Sequence, residues 1–348
     1  MSPIQKCTLG LFLFFIHAIS HSASIQGAGS SAAKPLYEKW AEAYQQNANI
    51  DITYQPIGSS AGIKKIKEQA VDFGASDVAL TPEDLQASHL IQFPSAISGV
   101  VPVVNLNGVK SGELKLTGEL LAAIFTRQIT RWNDPAIVAI NPAVNLPKSA
   151  IAVIARVDGS GTTYNFSDYL SRVSMQWKNS YGVNFLVKWP AEVALVKGSA
   201  GVVAALKQTQ NAIAYVDYNY VVQDRLTFVQ LKNAAGVFVA PRAASFESAL
   251  SHSSWKTQAN FNEMLTDQPG ANSWPITMGT FVIMPMVATD IDKTTAALKY
   301  FSWCFMQGDH YVNSLDFVRL PDAIQAKIFK QMTSVVDDKG HHLNWSPM

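Results

Sequence analysis

The chain has 348 residues, 48% of them hydrophobic and 15% charged, which is enough apolar surface to bury sizeable cores and more length than one compact domain needs. Its formal net charge of +1 excludes a broad basic field for nucleic acid or an anionic membrane, so any bound anion must be held by local groups. Two cysteines occur, Cys7 and Cys304.

The N-terminus reads as a secretory signal, residues 1–23. Lys6 supplies the charged start, and Leu11, Leu13, Phe14, Phe15 and Ile16 centre the apolar run. The run is too short to span a bilayer comfortably. Small residues follow, and cleavage is expected after Ala23, with Ser20 as the alternative. Cleavage removes Cys7, which leaves Cys304 without an intrachain partner. Cys304 lies in an aromatic stretch and reads as buried filler. A lipid anchor is not expected, because Cys7 precedes the apolar run.

The mature chain opens on a short extended piece and the turn Gly29-Ser30-Ser31. A helix follows, with Pro35 in its first turn and Leu36, Trp40 and Tyr44 at helical spacing. The plan repeats. Ile50, Ile52 and Tyr54 alternate as in a strand, Gly58-Ser59-Ser60 form the turn, and Ile63 and Ile66 stripe a helix whose other face carries Lys64, Lys65 and Lys67. That basic face reads as solvated. Residues 71–77 form a short strand, and Thr81, Pro82 and Asp84 start a helix. Leu120, Ile124 and Phe125 mark a helix expected to end near Asn133 and Pro135. A third copy of the plan has residues 151–155 as a buried strand, Asp158-Gly159-Ser160-Gly161 as the turn, and Phe166, Tyr169, Leu170 and Val173 as the helical stripe. Phe281, Val282 and Ile283 read as a strand, and residues 298–305 as a buried helix. Recurrent strand, turn and helix predict an α/β architecture. No proline- or glycine-rich linker separates the units, which favours domains joined by strands.

The three turns share a composition suited to anions. A helix start exposes unpaired N–H groups and a partial positive charge, glycine lets a ligand approach the backbone, and serine adds hydroxyl donors. Gly159-Ser160-Gly161-Thr162 is preceded by Arg156, whose fork matches two oxygens of a tetrahedral oxyanion. A single such turn more often serves only as a cap. Asp77, after Phe73-Gly74-Ala75-Ser76, sits where open α/β sheets place ligands. An ionised carboxylate accepts hydrogen bonds and cannot donate them, so it suits an oxyanion that still carries a proton. Phosphate does so near neutral pH, and sulfate does not.

Read together, Gly27-Ala28-Gly29-Ser30-Ser31, Tyr54-Gln55-Pro56-Ile57-Gly58-Ser59-Ser60-Ala61-Gly62, Val71-Asp72-Phe73-Gly74-Ala75-Ser76-Asp77 and Arg156-Val157-Asp158-Gly159-Ser160-Gly161-Thr162 resemble the periplasmic phosphate-binding proteins of the phosphate-specific ABC importer. Gln92-Phe93-Pro94, Trp132-Asn133-Asp134-Pro135, Lys188-Trp189-Pro190 and Trp274-Pro275-Ile276-Thr277 add to the resemblance, which covers nearly the whole mature chain in order. It implies a type II, two-lobed Venus-flytrap fold with two hinge crossings. Residues 24–98 plus 277–348 would form one lobe and 99–276 the other. It implies a phosphate site made of Ser30, Ser31 and Ala32 from the first turn and Ser59 from the second. Asp77 would read the phosphate proton, Arg156 would supply the guanidinium, and Ser160, Gly161 and Thr162 would complete the site. Asp158 would orient Arg156. It further implies a monomer in the periplasm, serving an inner-membrane permease and ATPase, with no cofactor or metal and no catalysis. The family commonly has Thr-Phe where this chain has Ser31-Ala32, which keeps a hydroxyl and loses a phenyl ring.

Two other readings compete. A sulfate- or molybdate-type binder shares the fold and helix-end physics, and Asp77 is the residue that separates it. A serine hydrolase would use Ser60, because Gly58-Ser59-Ser60-Ala61-Gly62 fits the nucleophile-elbow spacing. That pattern is short, and none of His89, His252, His310, His341 and His342 stands in a supporting motif. The adjacent His341 and His342 read as tail residues, without zinc-site spacing.

Overall fold

In the computed structural model of the protein, residues 24–48, 50–258 and 261–346 are described, and the expected export signal lies outside them. β1 (Ser24–Gly29) feeds α1 (Lys34–Ala48), β2 (Asp51–Gln55) feeds α2 (Ser59–Lys67), and β3 (Phe73–Ser76) leads to α3 (Pro82–Ala87). β1 lies between β2 and β3, parallel to both. All three strands therefore end, and their helices begin, along one edge of the sheet. α1 buries Leu36, Tyr37, Trp40 and Tyr44 on one face, as their spacing requires. Thr81 caps α3, its hydroxyl oxygen accepting from the Asp84 N–H at 3.2 Å.

β4 (Leu90–Asn105) is a 16-residue strand buried along almost its whole length. β5 (Lys115–Leu116), α4 (Gly118–Phe125) and α5 (Pro135–Ile140) follow. β6 (Ala152–Arg156) leads into α6 (Gly161–Val173) and α7 (Met175–Ser180), and β7 (Ala194–Val196) into α8 (Gly198–Gln208). β8 (Ala212–Asp217) leads into α9 (Tyr218–Gln223). After β9 (Thr227–Phe228), β10 (Gln230–Lys232), β11 (Phe238–Val239) and α10 (Ala243–His252) comes β12 (Thr277–Pro285). α11 (Ile291–Met306), α12 (Asp309–Ser314) and α13 (Asp322–Met332) complete the order.

The strands line up as β2-β1-β3-β12-β4-β8-β6-β7, with β9 beside β4, and a small separate sheet runs β11-β10-β5. β4 joins the two halves. Its first part pairs antiparallel with β12 from Leu90 to Gly99, and its second part pairs with β8 from Val100 to Asn105. The result is a mixed α/β protein of two lobes sharing one long strand. One aromatic cluster packs Tyr37, Phe73, Phe93, Phe301 and Phe305. Another packs Phe125, Phe166, Trp189 and Tyr215, with Phe166 and Tyr215 stacked at 4.2 Å. Cys304 is a free, buried thiol in the first lobe.

One boundary differs from expectation. The helix through Leu120 stops at Phe125, with Thr126 as its C-cap. Asn133 and Pro135 do not end it. Pro135 opens α5 instead, and Asp134 caps that helix by accepting from the Ala136 N–H. An Asp-Pro pair suits a helix start because the missing proline N–H would be unpaired there anyway.

Candidate functional site

Four helix starts from the two lobes meet in one buried place: those of α1, α2, α6 and α8. Ser30, Ser59, Arg156, Ser160 and Thr162 are each at most 2% exposed, Asp77 is 3% exposed and Ser31 5%. Bonds run directly between the lobes. The Gly161 N–H donates to Ser59 Oγ at 3.2 Å, and the Ser60 N–H donates to the Gly159 carbonyl at 3.1 Å. Asn165 Nδ2 donates to the Asp77 carbonyl at 2.8 Å, and the Tyr220 hydroxyl donates to the Ser31 carbonyl at 3.0 Å. Glycine makes this approach possible. A Cβ at Gly161 would lie 2.5 Å from Ser59 Oγ and 2.7 Å from Asp77 Cβ. Gly58 has φ +95°, and its Cβ would lie 2.9 Å from Asp158 Oδ2.

The helix starts divide their N–H groups between internal caps and open donors. Ser30 N–H goes to the Ala75 carbonyl, and Ser30 Oγ accepts from the Ala32 N–H at 3.1 Å. Ser160 N–H goes to the Phe185 carbonyl, and Ser160 Oγ accepts from the Thr163 N–H at 3.1 Å. The N–H groups of Ser31, Ser59 and Thr162 have no protein acceptor among the described residues. Ala32, in place of a bulkier residue, is fully buried, and Asn219 Nδ2 donates to its carbonyl at 3.4 Å.

Asp77 follows β3 and takes hydroxyl donors from three directions. Ser30 Oγ donates to Oδ2 at 2.6 Å, Thr280 Oγ1 donates to Oδ1 at 2.8 Å, and Ser59 Oγ lies 3.4 Å from Oδ2. Burial pushes the Asp77 carboxyl up from its ordinary value. The bonds from Ser30 and Thr280 and the charge of Arg156 act against that rise.

Arg156 ends β6 and is gripped by Asp158. Nε donates to Oδ1 at 2.7 Å, and Nη2 donates to Oδ2. Burial alone would lower the Arg156 pKa. The Asp158 carboxylate reverses this and raises it, so the guanidinium keeps its charge while 2% exposed. For Asp158, partial burial acts upward, but Arg156 and the Gly198 N–H together hold it below the usual carboxylate range. Nη1, on the other edge of the fork, lies 3.5 Å from Ser199 Oγ. Asp158 thus fixes the plane of the guanidinium and leaves its outer edge toward the meeting point.

Three residues of the cluster escaped the reading from sequence. Ser199, in the first turn of α8, bonds Ser31 Oγ at 2.9 Å and donates to Asp217 Oδ2 at 2.8 Å. Asp217, at the end of β8, has no exposed surface and also accepts from Thr162 Oγ1 at 3.2 Å. Burial first, and then the neighbouring Asp77 charge, push the Asp217 carboxyl up to about 7. Thr280 lies on β12. Lys197-Gly198-Ser199 was a usable signal, since it repeats the strand, small-residue turn and helix of the other starts. For Asp217 and Thr280 nothing local distinguished them from ordinary strand residues.

Ser60 lies half-buried in the first turn of α2. No hydrogen bond among the described residues joins its hydroxyl to a histidine. His252, His310 and His341 bond to Ser248, Gln307 and Asp337. Among the described residues, the nucleophile-elbow serine thus has no histidine bonded to it. On the basic face of α2, Lys64 and Lys67 pair with Glu68 and Asp84 at 3.8 and 3.6 Å, as befits a solvated helix face.

Residues 17–303 match the family model described as a PBP superfamily domain. The chain is 42% identical over 324 residues to the phosphate-binding protein PstS of Haemophilus influenzae, covering 93% of this chain and 95% of that protein. It is 43% identical over 307 residues to the phosphate-binding protein PstS of Xylella fastidiosa, covering 88% and 84%. Among solved structures, it resembles a high affinity periplasmic phosphate-binding protein bound with phosphate, at TM-score 0.70 and 20% identity over 88% of this chain and 93% of that one. It also resembles a phosphate-binding protein from Stenotrophomonas maltophilia, at TM-score 0.66 and 18% identity over 88% and 93%. These two likenesses concern the fold. The sequence identities across most of both chains place this protein in the PstS family of phosphate-binding proteins, within the PBP superfamily.

Proposed function

We propose that this protein captures inorganic phosphate between its lobes and hands it to an ABC importer, binding without catalysis. The observation that carries this reading is Asp77. A buried carboxylate stands beside the open N–H groups of Ser31, Ser59 and Thr162 and beside the charged edge of Arg156. The N–H groups and guanidinium suit any tetrahedral oxyanion. The carboxylate suits one that brings a proton of its own. On this reading Ser30, Ser31, Ala32, Ser59, Asp77, Arg156, Ser160, Gly161 and Thr162 surround the ligand, and Asp158 orients Arg156. The names of the relatives support phosphate as that ligand.

The lobes divide as residues 24–98 plus 277–348 and residues 99–276. In support, β4 changes partner between Gly99 and Val100, and Gly99 lies opposite Thr277 of β12. The chain is exported by its signal segment, works as a monomer in the periplasm and meets the permease and ATPase of the inner membrane. No helix among the described residues is long and apolar enough to cross a membrane, which accords with that placement.

Calorimetry with phosphate and sulfate tests the reading. A fully ionised anion pressed against Asp77 meets a like charge worth several kcal/mol, so sulfate should bind at least ~10²-fold more weakly than phosphate. Asp77→Asn should narrow that ratio, because an amide can donate to a bare oxygen. Equal affinity of the wild type for the two anions would overturn the reading.

A further inference from the structure

The buried cluster carries more negative than positive charge before any anion enters. Asp77, Asp158 and Asp217 supply three carboxylates, and Arg156 is their single guanidinium. Two of its N–H groups are committed to Asp158. A phosphate anion drawn into this place adds further negative charge beside Asp77 and Asp217, which are at most 3% exposed, and buried like charges that lack a partner are strongly disfavoured. The ligand's own proton relieves the contact with one carboxylate, and neutralising a second would relieve the rest. Asp158 is the least suited, because it is held ionised by its fork to Arg156. Asp77 takes hydroxyls from three residues, Ser30, Thr280 and Ser59, against two on Asp217, and on the phosphate reading it stays ionised to accept the ligand's own proton.

Asp217 is placed differently. From α6 and α8 it accepts from two hydroxyls, those of Thr162 and Ser199, which favour its ionised form, while complete burial and the Asp77 charge oppose it. The charged groups that bear on it are Asp77, beyond the end of β3, which opposes its ionisation, and Arg156, at the end of β6, which favours it. Tyr220 of α9 is the phenol on which its charge acts, and Tyr215 of its own strand bonds Thr163 instead. No guanidinium or ammonium among the described residues forms an ion pair with Asp217, in contrast to Asp158.

We infer that phosphate capture is coupled to uptake of one proton by the Asp217 carboxylate. This rests on the phosphate reading and extends it. The proton comes from solvent and forms an O–H on one Asp217 oxygen, and no other bond is made or broken. A neutral carboxyl is a poorer acceptor than a carboxylate. The Thr162 and Ser199 hydroxyls are then released to turn toward the anion. Thr162 is a residue that the family resemblance assigns to the ligand, yet here its hydroxyl is spent on Asp217. Protonation of Asp217 reconciles the two.

The sign follows from linkage. Where the lobes meet, the Asp217 carboxyl is already pushed up to about 7, and binding raises it further, so affinity is fully present below the Asp217 pKa of the open molecule and declines above it. The decline approaches tenfold per pH unit, on top of the change due to phosphate's own ionisation. The test is calorimetry of the mature chain with inorganic phosphate in pairs of buffers of different ionisation enthalpy. At about pH 8 the wild type should take up close to one more proton per phosphate than Asp217→Asn. That difference should shrink as the pH is lowered through the Asp217 pKa of the ligand-free molecule. Equal proton counts in the two proteins at the higher pH would overturn the inference, as uptake retained in full by the variant would put the proton on Asp77. Infrared difference spectra of the wild type give a check that needs no variant. Phosphate added at the higher pH should raise a protonated-carboxyl carbonyl band, and a spectrum without one counts against Asp217. Failure of the wild type to bind phosphate at any pH would bring down the functional reading itself, whereas tight binding without extra protons overturns only the role of Asp217.

Discussion

On the proposed reading, Arg156 becomes a ligand group through its neighbour. A lone buried guanidinium would be costly, and one free to rotate would present no defined edge. The Asp158 fork answers both needs: it offsets the charge and fixes the plane. Arg156→Ala removes the sole arginine of the cluster and leaves Asp158 unpaired beside the site. Phosphate affinity should fall by at least ~10²-fold, in line with truncating one member of a buried charge pair. Lys65→Ala, on the half-buried outer side of α2, should change affinity by no more than about twofold. Equal losses in a calorimetric titration would mean that the cluster is not where the anion binds. The arginine was legible in the sequence because a glycine and serine turn follows it directly. Asp217 was not, because it ends a run of apolar strand residues from Ala212 to Val216 and its partners come from helices far away in the chain.

Among the elements, the helix starts and the long strand were read with unequal success, for physical reasons. A β-strand, a small-residue turn and a helix is a local pattern, so α1, α2 and α6 appeared at the expected places. α8 has the same design behind a three-residue strand, too short to be conspicuous. β4 was hidden by Pro94 and Pro102. Proline cannot donate to a ladder and ordinarily argues against an inner strand. Here the register slips opposite Pro94, between Thr280 and Phe281, and Pro102 still offers its carbonyl to the Val229 N–H. The start of α8 joins the buried cluster through one side chain. Ser199 links Ser31 of one lobe to Asp217 of the other lobe. Ser199→Ala should therefore weaken phosphate binding by roughly 5- to 30-fold, the worth of about 1–2 kcal/mol of buried hydrogen bonding. An unchanged affinity, measured on a variant with wild-type circular dichroism, would mean that α8 takes no part in closure.

For the whole molecule, the decisive property is that the proposed site is built from both lobes. The bonds from Gly161 to Ser59, from Ser60 to Gly159 and from Asn165 to Asp77 all cross between them. Each such bond contributes only about 1 kcal/mol net, and the excess of carboxylates opposes the approach. Closure without ligand should thus be weakly held, and an anion that satisfies Arg156 and the open N–H groups should shift the population toward the closed form. Small-angle scattering should show a smaller radius of gyration with phosphate than without it. Gly161→Ala separates closure from folding. Its methyl group would fall within 2.5 Å of Ser59 Oγ and 2.7 Å of Asp77 Cβ, contacts that exist only between closed lobes. As the first residue of α6, position 161 accepts alanine readily in an open molecule. The variant should keep the melting temperature of the ligand-free protein. It should lose roughly 5- to 150-fold in phosphate affinity, the cost of about 1–3 kcal/mol of overpacking, and show less compaction on adding phosphate. If its ligand-free melting temperature instead falls by several degrees, the contact between Gly161 and Asp77 belongs to a permanent core, and the two lobes do not part.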